Sequence, residues 1–172
     1  MLLYHLTDLK YMNQILKDGK LKPASKTKNK SQNPYDFNSP YVYFNTFPRT
    51  QVNEFAYPTN SIGLIFRSDI LLGKVFYINK HHTAGNTKSS EKYCVDTKEE
   101  LRKPLYKIYK HSLKIVQQIK QDTRILSVFQ EVFTKVEPDL NNLEYIILNS
   151  SYVKIIDKIK KNYPHVKIVS YE

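Results

Sequence analysis

Three polar side chains stand out in this 172-residue chain because each lies at one end of, or within, an apolar run. His5 follows MLLY and stands two residues before Thr7, Tyr43 lies within YVYFN, and Glu144 precedes YIIL. An imidazole can exchange protons near neutral pH, a phenol ring can stack on a planar group, and a carboxylate can stabilise positive charge on a sugar. These residues are far apart in sequence, so we predict that several strands bring them to one cleft.

The spacing of apolar residues predicts the elements that would position these side chains. A strand is predicted over residues 2–5. A helix follows from Asp8 as N-cap to Gly19, because apolar residues recur at helical spacing between the two. Gly73 predicts a turn between two runs rich in β-branched and aromatic residues, 61–71 and 74–80. The later strands predicted from such runs are 41–45, 61–71, 74–80, 143–149 and 165–171.

Further helices and two long loops are predicted from the same patterns. Pro104 either opens or kinks the longest helix, because proline lacks the backbone N–H that a helix interior needs. Ser150 or Ser151 is the predicted N-cap of the last helix. The helices are 98–121, 123–135 and 150–163. The polar loops are 24–40 and 81–97.

The composition favours one α+β domain over residues 1–172 with an anionic partner. The length suits a single domain with its own core, and strands and helices are mixed along the chain without an internal repeat. Twenty-seven Lys and Arg against sixteen Asp and Glu give a formal net charge of +11. Such an excess favours polyanions or anionic small molecules as partners.

Cysteine usage and hydropathy predict where the protein acts. Cys94 is the single cysteine of the chain and therefore has no partner for an internal disulfide, which favours a reducing compartment. No apolar run approaches the roughly 18 residues of a membrane span, and the start of the chain lacks a signal-peptide core. We expect an intracellular monomer, cytoplasmic or nuclear, with no membrane partner.

Three blocks of the sequence resemble the ADP-ribosyltransferase superfamily. YHLTDLKYMNQILKDGKLKP is similar to its opening, in which a strand ends in His-x-Thr and a helix closes with Gly-Lys-Leu. YVYFN resembles the strand that carries the family's tyrosine, and LEYIIL resembles the late strand that begins with its catalytic glutamate. YVYFNTFPRTQV is also similar to the aromatic-then-Pro-Arg stretch of the DNA-modifying ADP-ribosyltransferase toxins.

The resemblance implies an α+β fold in which split antiparallel β-sheets form an NAD cleft flanked by helices. NAD would be a consumed substrate, and its ADP-ribose would pass to a macromolecule, nucleic acid slightly preferred over protein. Glu144 would stabilise the oxocarbenium-like transition state, as carboxylates do in glycoside hydrolysis. His5 would donate to a ribose hydroxyl with Thr7 beside it, and Tyr43 would stack on the nicotinamide.

Other residues would complete such a site. Arg49 could bind the pyrophosphate through its guanidinium, and Phe55 or Tyr57 could cover the second face of the nicotinamide. Lys22, Lys26, Lys28 and Lys30 would suit the phosphates of a nucleic-acid acceptor. The four glycines do not form the G-x-G-x-x-G spacing of a Rossmann fold, and the histidines show no zinc spacing with Cys94, so no metal is expected.

Three alternatives remain open at this point. His5-Leu6-Thr7 and His81-His82-Thr83 both fit H-x-T, the motif that two-histidine phosphoesterases use on RNA or cyclic nucleotides. An NAD-dependent RNA 2′-phosphotransferase shares the ADP-ribosyltransferase fold. A basic domain without catalysis could simply bind nucleic acid, with an affinity that falls as salt rises.

Overall fold

The computed structural model describes residues 1–27, 39–46, 60–79, 90–121 and 130–171. Within these ranges, eight strands and three helices are mixed along the chain. The strands are β1 (Leu2–Asp8), β2 (Val42–Phe44), β3 (Ser61–Arg67), β4 (Val75–Asn79), β5 (Ser90–Cys94), β6 (Val132–Thr134), β7 (Leu143–Asn149) and β8 (Lys167–Tyr171). The helices are α1 (Leu9–Asp18), α2 (Lys98–Gln121) and α3 (Val153–Asn162).

The strands form two four-stranded sheets, in the orders β1-β3-β7-β8 and β2-β6-β4-β5. Every pairing is antiparallel except β7 with β8, which is parallel. The sheets meet where Tyr4 of β1 and Asn45, just after β2, form an isolated bridge. Each residue of this bridge donates its backbone N–H to the carbonyl of the other at 2.8 Å.

Helix α1 follows β1 directly, as the sequence predicts. Its apolar side buries Met12 and Ile15, and Gly19 ends the helix with φ of 66°, a left-handed conformation that glycine adopts without strain. The Gly19 N–H donates to the carbonyl of Ile15 at 3.0 Å. Asp8 occupies the N-cap position, but its side chain pairs with Lys10 at 3.2 Å instead of capping the helix.

Helix α2 starts with a capping box at Thr97 and Glu100. The backbone N–H of Glu100 donates to Thr97 Oγ1 at 3.2 Å, and the Thr97 hydroxyl and N–H donate back to the Glu100 carboxylate at 3.1 and 3.4 Å. The helix therefore begins at Lys98, and Pro104 lies inside it. Its inner side buries Leu101, Leu105 and Ile108 in the core.

The core lies between the sheets and the helices. Its largest fully buried side chains include Leu3 of β1, Phe44 of β2, Phe66 of β3 and Phe76 of β4, all with no exposed surface. Phe44 and Phe66 meet edge to face with ring centroids 6.0 Å apart, which joins the two sheets through one apolar contact. No helix in the described ranges is both long enough and apolar enough to cross a membrane.

The strand predicted over 61–71 and the loop predicted over 81–97 are partly wrong. β3 ends at Arg67, which pairs with Leu2 of β1, and Ser68–Leu71 then forms a 3₁₀ turn. β5 lies inside the expected loop, where its polar residues suit an edge strand. It pairs with β4 along its whole length, and Tyr93 stacks on Phe76 at 5.3 Å.

The helix predicted over 123–135 is wrong at its end, and the predicted cap of the last helix is also wrong. Val132–Thr134 is strand β6, which pairs with β2 on one side and β4 on the other, while residues 122–129 lie outside the described ranges. Tyr152 occupies the N-cap position of α3. Ser151 instead donates its N–H and hydroxyl to Asn149 Oδ1, at 2.9 and 2.6 Å, in the turn after β7.

Candidate active site

A cleft of about 710 Å³ opens at the junction of the two sheets. This volume falls within the usual range of small-molecule sites. The second half of β1 and the start of β3 form one side of the cleft, α1 and the segment after it form another, and β2 completes it. His5, Thr7, Tyr43 and Ser61 are among its lining residues.

His5 is fixed by the strand next to it. Its Nδ1 lies 2.8 Å from the backbone carbonyl oxygen of Tyr43, and its ring meets Phe44 edge to face at 6.0 Å. Because a carbonyl oxygen can only accept, Nδ1 carries the proton. Burial lowers the pKa of His5, and the hydrogen bond to Tyr43 opposes this only in part. The imidazole is therefore neutral near pH 7, and its Nε2 is an acceptor.

Tyr43 is held from both ends of its side chain. Its hydroxyl and that of Ser39 lie 2.6 Å apart, and its ring lies against Phe133 of β6 at 5.7 Å with a 31° tilt. Phe133 also contacts Tyr41 and Tyr77, so one face of this sheet carries a continuous aromatic cluster. The cluster orients the Tyr43 ring where β2 borders the cleft.

Glu131 is a buried carboxylate beside this cluster, just before β6. Glu131 is 7% exposed, and two hydrogen bonds to Asn79 hold its backbone. The Glu131 N–H donates to Asn79 Oδ1 at 2.6 Å, and the Asn79 N–H donates to the Glu131 carbonyl at 3.1 Å. Side chains two residues apart on a strand share a face, so Glu131 lies on the face of the sheet that carries Phe133.

The position of Glu131 follows from strand register. β2 and β6 pair Phe44 with Val132, so the next position places Asn45 opposite Glu131. Asn45 also bridges to Tyr4, the neighbour of His5. At about 4.8 Å between adjacent strands, the backbones of Tyr4 and Glu131 lie about 10 Å apart across the junction. The segments that carry His5 and Glu131 thus flank the strand of Asn45 on its two sides.

Two buried side-chain oxygens lie at the same junction. Asn45 Oδ1 and Thr46 Oγ1 have no hydrogen-bond partner among the described residues, although both atoms are buried. Most buried polar atoms in folded proteins are paired, and exceptions are concentrated where a ligand or water completes the bonding. A ligand with hydroxyl or amide groups would complete the bonding of both oxygens.

The rim of the cleft carries lysines that are mostly paired. Lys20 and Lys26 both bind the Glu137 carboxylate, at 2.7 and 2.6 Å, and these bonds lower the pKa of Glu137. Lys22 pairs with Asp18 at 2.9 Å. The Glu137 bonds hold the segment after α1 against the segment before β7, which shapes one wall of the cleft. The described residues contain no group of three or more His, Cys, Asp or Glu side chains that could hold a metal.

The sequence-predicted site residues are only partly brought together. His5, Thr7 and Tyr43 line the cleft, but Glu144 does not. Glu144 lies in a bulge of β7, separated from β1 by β3, and its Oε1 accepts from Arg67 Nε at 2.7 Å. Glu144 thus pairs with Arg67 of the neighbouring strand, whereas His5 and Tyr43 are joined by the hydrogen bond between the His5 ring and the Tyr43 carbonyl. Residues Arg49, Phe55, Tyr57, Lys28, Lys30, His81 and His82 lie outside the described ranges.

Sequence reasoning missed Glu131 because it placed this residue in a helix. Within a helix, a glutamate between Gln130 and Val132 would be an ordinary surface residue. The useful signal is the triplet Val132-Phe133-Thr134, which consists of two β-branched residues and an aromatic. It marks a short buried strand with a carboxylate directly before it, the same pattern that drew attention to Glu144.

Comparisons with solved structures identify the fold. The chain is similar to DarT of Thermus sp. 2.9 in complex with carba-NAD+, with a TM-score of 0.61, 15% identity, and coverage of 99% of this chain and 95% of that one. The same DarT in complex with ADP-ribosylated ssDNA gives a TM-score of 0.57 at 15% identity, covering 99% and 93%. DarTG of Thermosipho africanus in complex with ADP-ribose gives 0.55 at 12% identity, covering 98% of this chain and 49% of that one.

The chain thus has the fold of the DarT ADP-ribosyltransferases, which confirms the α+β fold class predicted from the three sequence blocks. No protein-family model and no curated protein sequence matches the chain.

Proposed function

We propose that this protein is an ADP-ribosyltransferase that consumes NAD and transfers ADP-ribose to a nucleic acid, with DNA as the preferred acceptor. The observation that carries the proposal is the cleft at the junction of the two sheets, lined by His5, Thr7 and Tyr43. Strand register puts Glu131 on the face of the second sheet that carries Tyr43 and Phe133, and we infer that its carboxylate serves the same site. The fold supports it, since structures with the same fold hold carba-NAD+, NAD+ or ADP-ribosylated ssDNA. The net charge of +11 suits an acceptor that is itself a polyanion.

The reaction breaks the bond between C1′ of the ribose and the nicotinamide nitrogen. Nicotinamide leaves with the bonding electrons, positive charge develops over C1′ and the ring oxygen, and the acceptor atom then attacks C1′ and loses its proton. A fixed carboxylate stabilises this charge most when little rearrangement is needed. Two hydrogen bonds to Asn79 hold the Glu131 backbone, and burial restricts its side chain, so Glu131 is the carboxylate that we propose for this role.

His5 and Tyr43 would position the substrate. Because Nδ1 of His5 is committed to the Tyr43 carbonyl, Nε2 of the neutral ring would accept a hydrogen bond from a ribose hydroxyl. This reverses the donor role that the resemblance implied. Thr7 would add a hydroxyl contact, and the Tyr43 ring, backed by Phe133, would stack on the nicotinamide. We retain Arg49 and either Phe55 or Tyr57 as proposed contacts of the pyrophosphate and the second nicotinamide face.

The test compares Glu131→Gln with Glu144→Gln. Each variant is incubated with NAD labelled in its adenylate phosphate together with single-stranded DNA, RNA or a protein lysate. We expect wild type to label the DNA, and Glu131→Gln to lose at least about 100-fold of the rate, as is usual when one charge-stabilising group is removed. Glu144→Gln removes the same charge from a carboxylate on β7, which β3 separates from β1, and should retain the wild-type rate.

Three results would contradict the proposal. Equal loss in both variants would indicate a general effect of charge, and loss only in Glu144→Gln would return the catalytic role to that residue. Absence of nicotinamide release by folded wild type, with DNA binding retained, would favour a binding domain without catalysis. Circular dichroism of each variant separates loss of function from loss of fold.

A further inference from the structure

The exposed side of α2 carries a surface that the proposed reaction does not use. The side chains along this surface are basic or aromatic, and all are exposed. None of the side chains of α2 that the structure describes, residues 98–114, is among those that line the cleft described above. We call this surface the basic face of α2. It consists of Arg102, Lys103, Tyr106, Lys107, Lys110, His111 and Lys114.

Acidic residues are missing from this part of the chain. The sequence from 101 to 121 contains no Asp or Glu. Within the described ranges, α2 forms one salt bridge, in which its first residue, Lys98, pairs with Asp69 at 2.8 Å. The cleft lysines differ, since Lys20 and Lys26 both form ion pairs with the carboxylate of Glu137. The five cations of the basic face therefore present net charge to solvent.

Four of these cations form a row. Lys103, Lys107, Lys110 and Lys114 follow each other at intervals of four, three and four residues, which places them along one stripe of the helix. At 1.5 Å per residue the row is about 16 Å long, enough for several successive phosphates. Like charges three or four residues apart repel each other on a helix, so an extended anion along the row would relieve a cost that the free protein bears.

An exposed aromatic ring lies beside the row. Tyr106 is 45% exposed and is one of the few large hydrophobic side chains in the described ranges that are exposed. Lys110 Nζ lies 4.9 Å from the centre of its ring, and the ring of Tyr109 lies 6.3 Å away at an angle of 21°. Lysines next to an exposed ring suit single-stranded nucleic acid, whose phosphates pair with cations and whose unpaired bases stack.

We propose that the basic face of α2 binds the phosphate backbone of single-stranded DNA, with Tyr106 stacking on an unpaired base. The choice of DNA over RNA rests on the proposed function, whereas the binding itself needs no NAD. An acidic membrane is a poorer fit, because the apolar side of α2, with Leu101, Leu105 and Ile108, is buried in the core. A long acceptor strand would thus be held at a second place outside the cleft.

The test measures binding of a 20-nucleotide single strand by fluorescence anisotropy without NAD. The variant changes Lys103, Lys107 and Lys110 to glutamine. Its matched control changes Lys154, Lys158 and Lys161 of α3, three exposed lysines with the same spacing of four and three residues. These lysines differ from the basic face in having an acidic residue, Asp157, among them, and Lys158 donates to Asn13 Oδ1 at 2.9 Å.

We expect the α2 variant to bind at least about tenfold more weakly at 100 mM salt, and the control to change by less than about threefold. The slope of log affinity against log salt should flatten by about 2 in the α2 variant, since each lost phosphate contact contributes about 0.7 for a single strand. Tyr106→Ala should weaken binding of the single strand and leave a duplex of the same sequence unaffected.

Equal weakening in both triple variants would overturn the proposal, because net charge alone would then explain it. Wild type could instead bind duplex DNA, RNA or phosphatidylserine vesicles more tightly than the single strand. If the α2 variant lost that binding, the basic face of α2 would be assigned to that partner. Thermal unfolding should show no loss of stability in the α2 variant, since it removes repulsion. Because Glu131→Gln should bind DNA normally while losing transfer, failure of the reaction and failure of the surface remain separate results.

Discussion

Replacing Gly19 by alanine should lower the stability of the fold and also weaken NAD binding in the cleft. Gly19 has φ of 66°, and an added Cβ would meet its nearest atom, the Tyr163 hydroxyl, at an ordinary 3.7 Å. The cost is therefore backbone strain alone, about 1–2 kcal/mol for a left-handed L-residue. The smaller entropy of the unfolded alanine chain offsets about 0.4–1 kcal/mol. The net loss of about 1 kcal/mol should lower Tm by about 2–4 °C.

Gly73→Ala is the matched control for this change. Gly73 has φ of 65°, and its added Cβ would lie 3.7 Å from Asp96 Oδ1, so strain and space are the same. Gly19 lies between Asp18 and Lys20, which line the cleft, and its carbonyl accepts from the Leu140 N–H at 2.9 Å. Both variants should lose similar stability, but only Gly19→Ala should weaken NAD binding, as measured by calorimetric titration.

A third variant, Gly19→Asn, tests whether backbone strain causes the loss of stability. Asparagine tolerates the left-handed region better than alanine, so Gly19→Asn should unfold at a temperature between wild type and Gly19→Ala. Thermal unfolding followed by circular dichroism gives this order directly. A stable Gly19→Ala, or a Gly19→Asn that is the least stable of the three, would show that backbone strain at this position has been misjudged.

Three further predictions concern charge and packing. Because the pKa of His5 is lowered, the folded protein should lose stability as pH falls below about 6.5, and urea unfolding of His5→Gln should show a weaker dependence in that range. Glu137→Gln should destabilise the segment held through Lys20 and Lys26 at neutral pH. The difference in stability between wild type and Glu137→Gln should shrink once pH falls below the usual glutamate pKa of about 4.5, and it should vanish as pH passes the lower pKa of the folded protein. The same difference should shrink in 1 M salt, and thermal unfolding measures both effects. Leu105→Ala removes a fully buried side chain of α2 and should cost about 2–5 kcal/mol in denaturant unfolding, and an unchanged midpoint would contradict its place in the core.

The sequence predicts the first element pair well because local rules decide it. β1, α1 and the stop at Gly19 depend on apolar spacing and on one residue with positive φ, and both are visible in a single stretch. The same holds for β7 and for α3, whose apolar residues recur at regular intervals. His5 and Tyr43 were therefore placed on strands, whereas Thr7 lies in β1 beyond the predicted end of that strand, and all three line one cleft.

The second sheet was harder to predict because its short strands are defined by their partners. β6 has three residues, all buried, and is a strand because β2 and β4 flank it. Its sequence carries no alternation long enough to identify it. The position of Glu131 depends on that pairing. Glu144 stands out in the sequence because it precedes the apolar run YIIL and because LEYIIL resembles the family's late strand. The order of strands, which puts β3 between β7 and β1, is not visible in local patterns.

The bridge between Tyr4 and Asn45 gives the two sheets a shared pair of main-chain hydrogen bonds. Amide protons at these two positions should exchange with deuterium whenever the sheets part locally, without global unfolding. Their exchange rates therefore report how often the seam opens. A dinucleotide bound across the seam should slow both rates together and leave the amides in the middle of β7 unchanged.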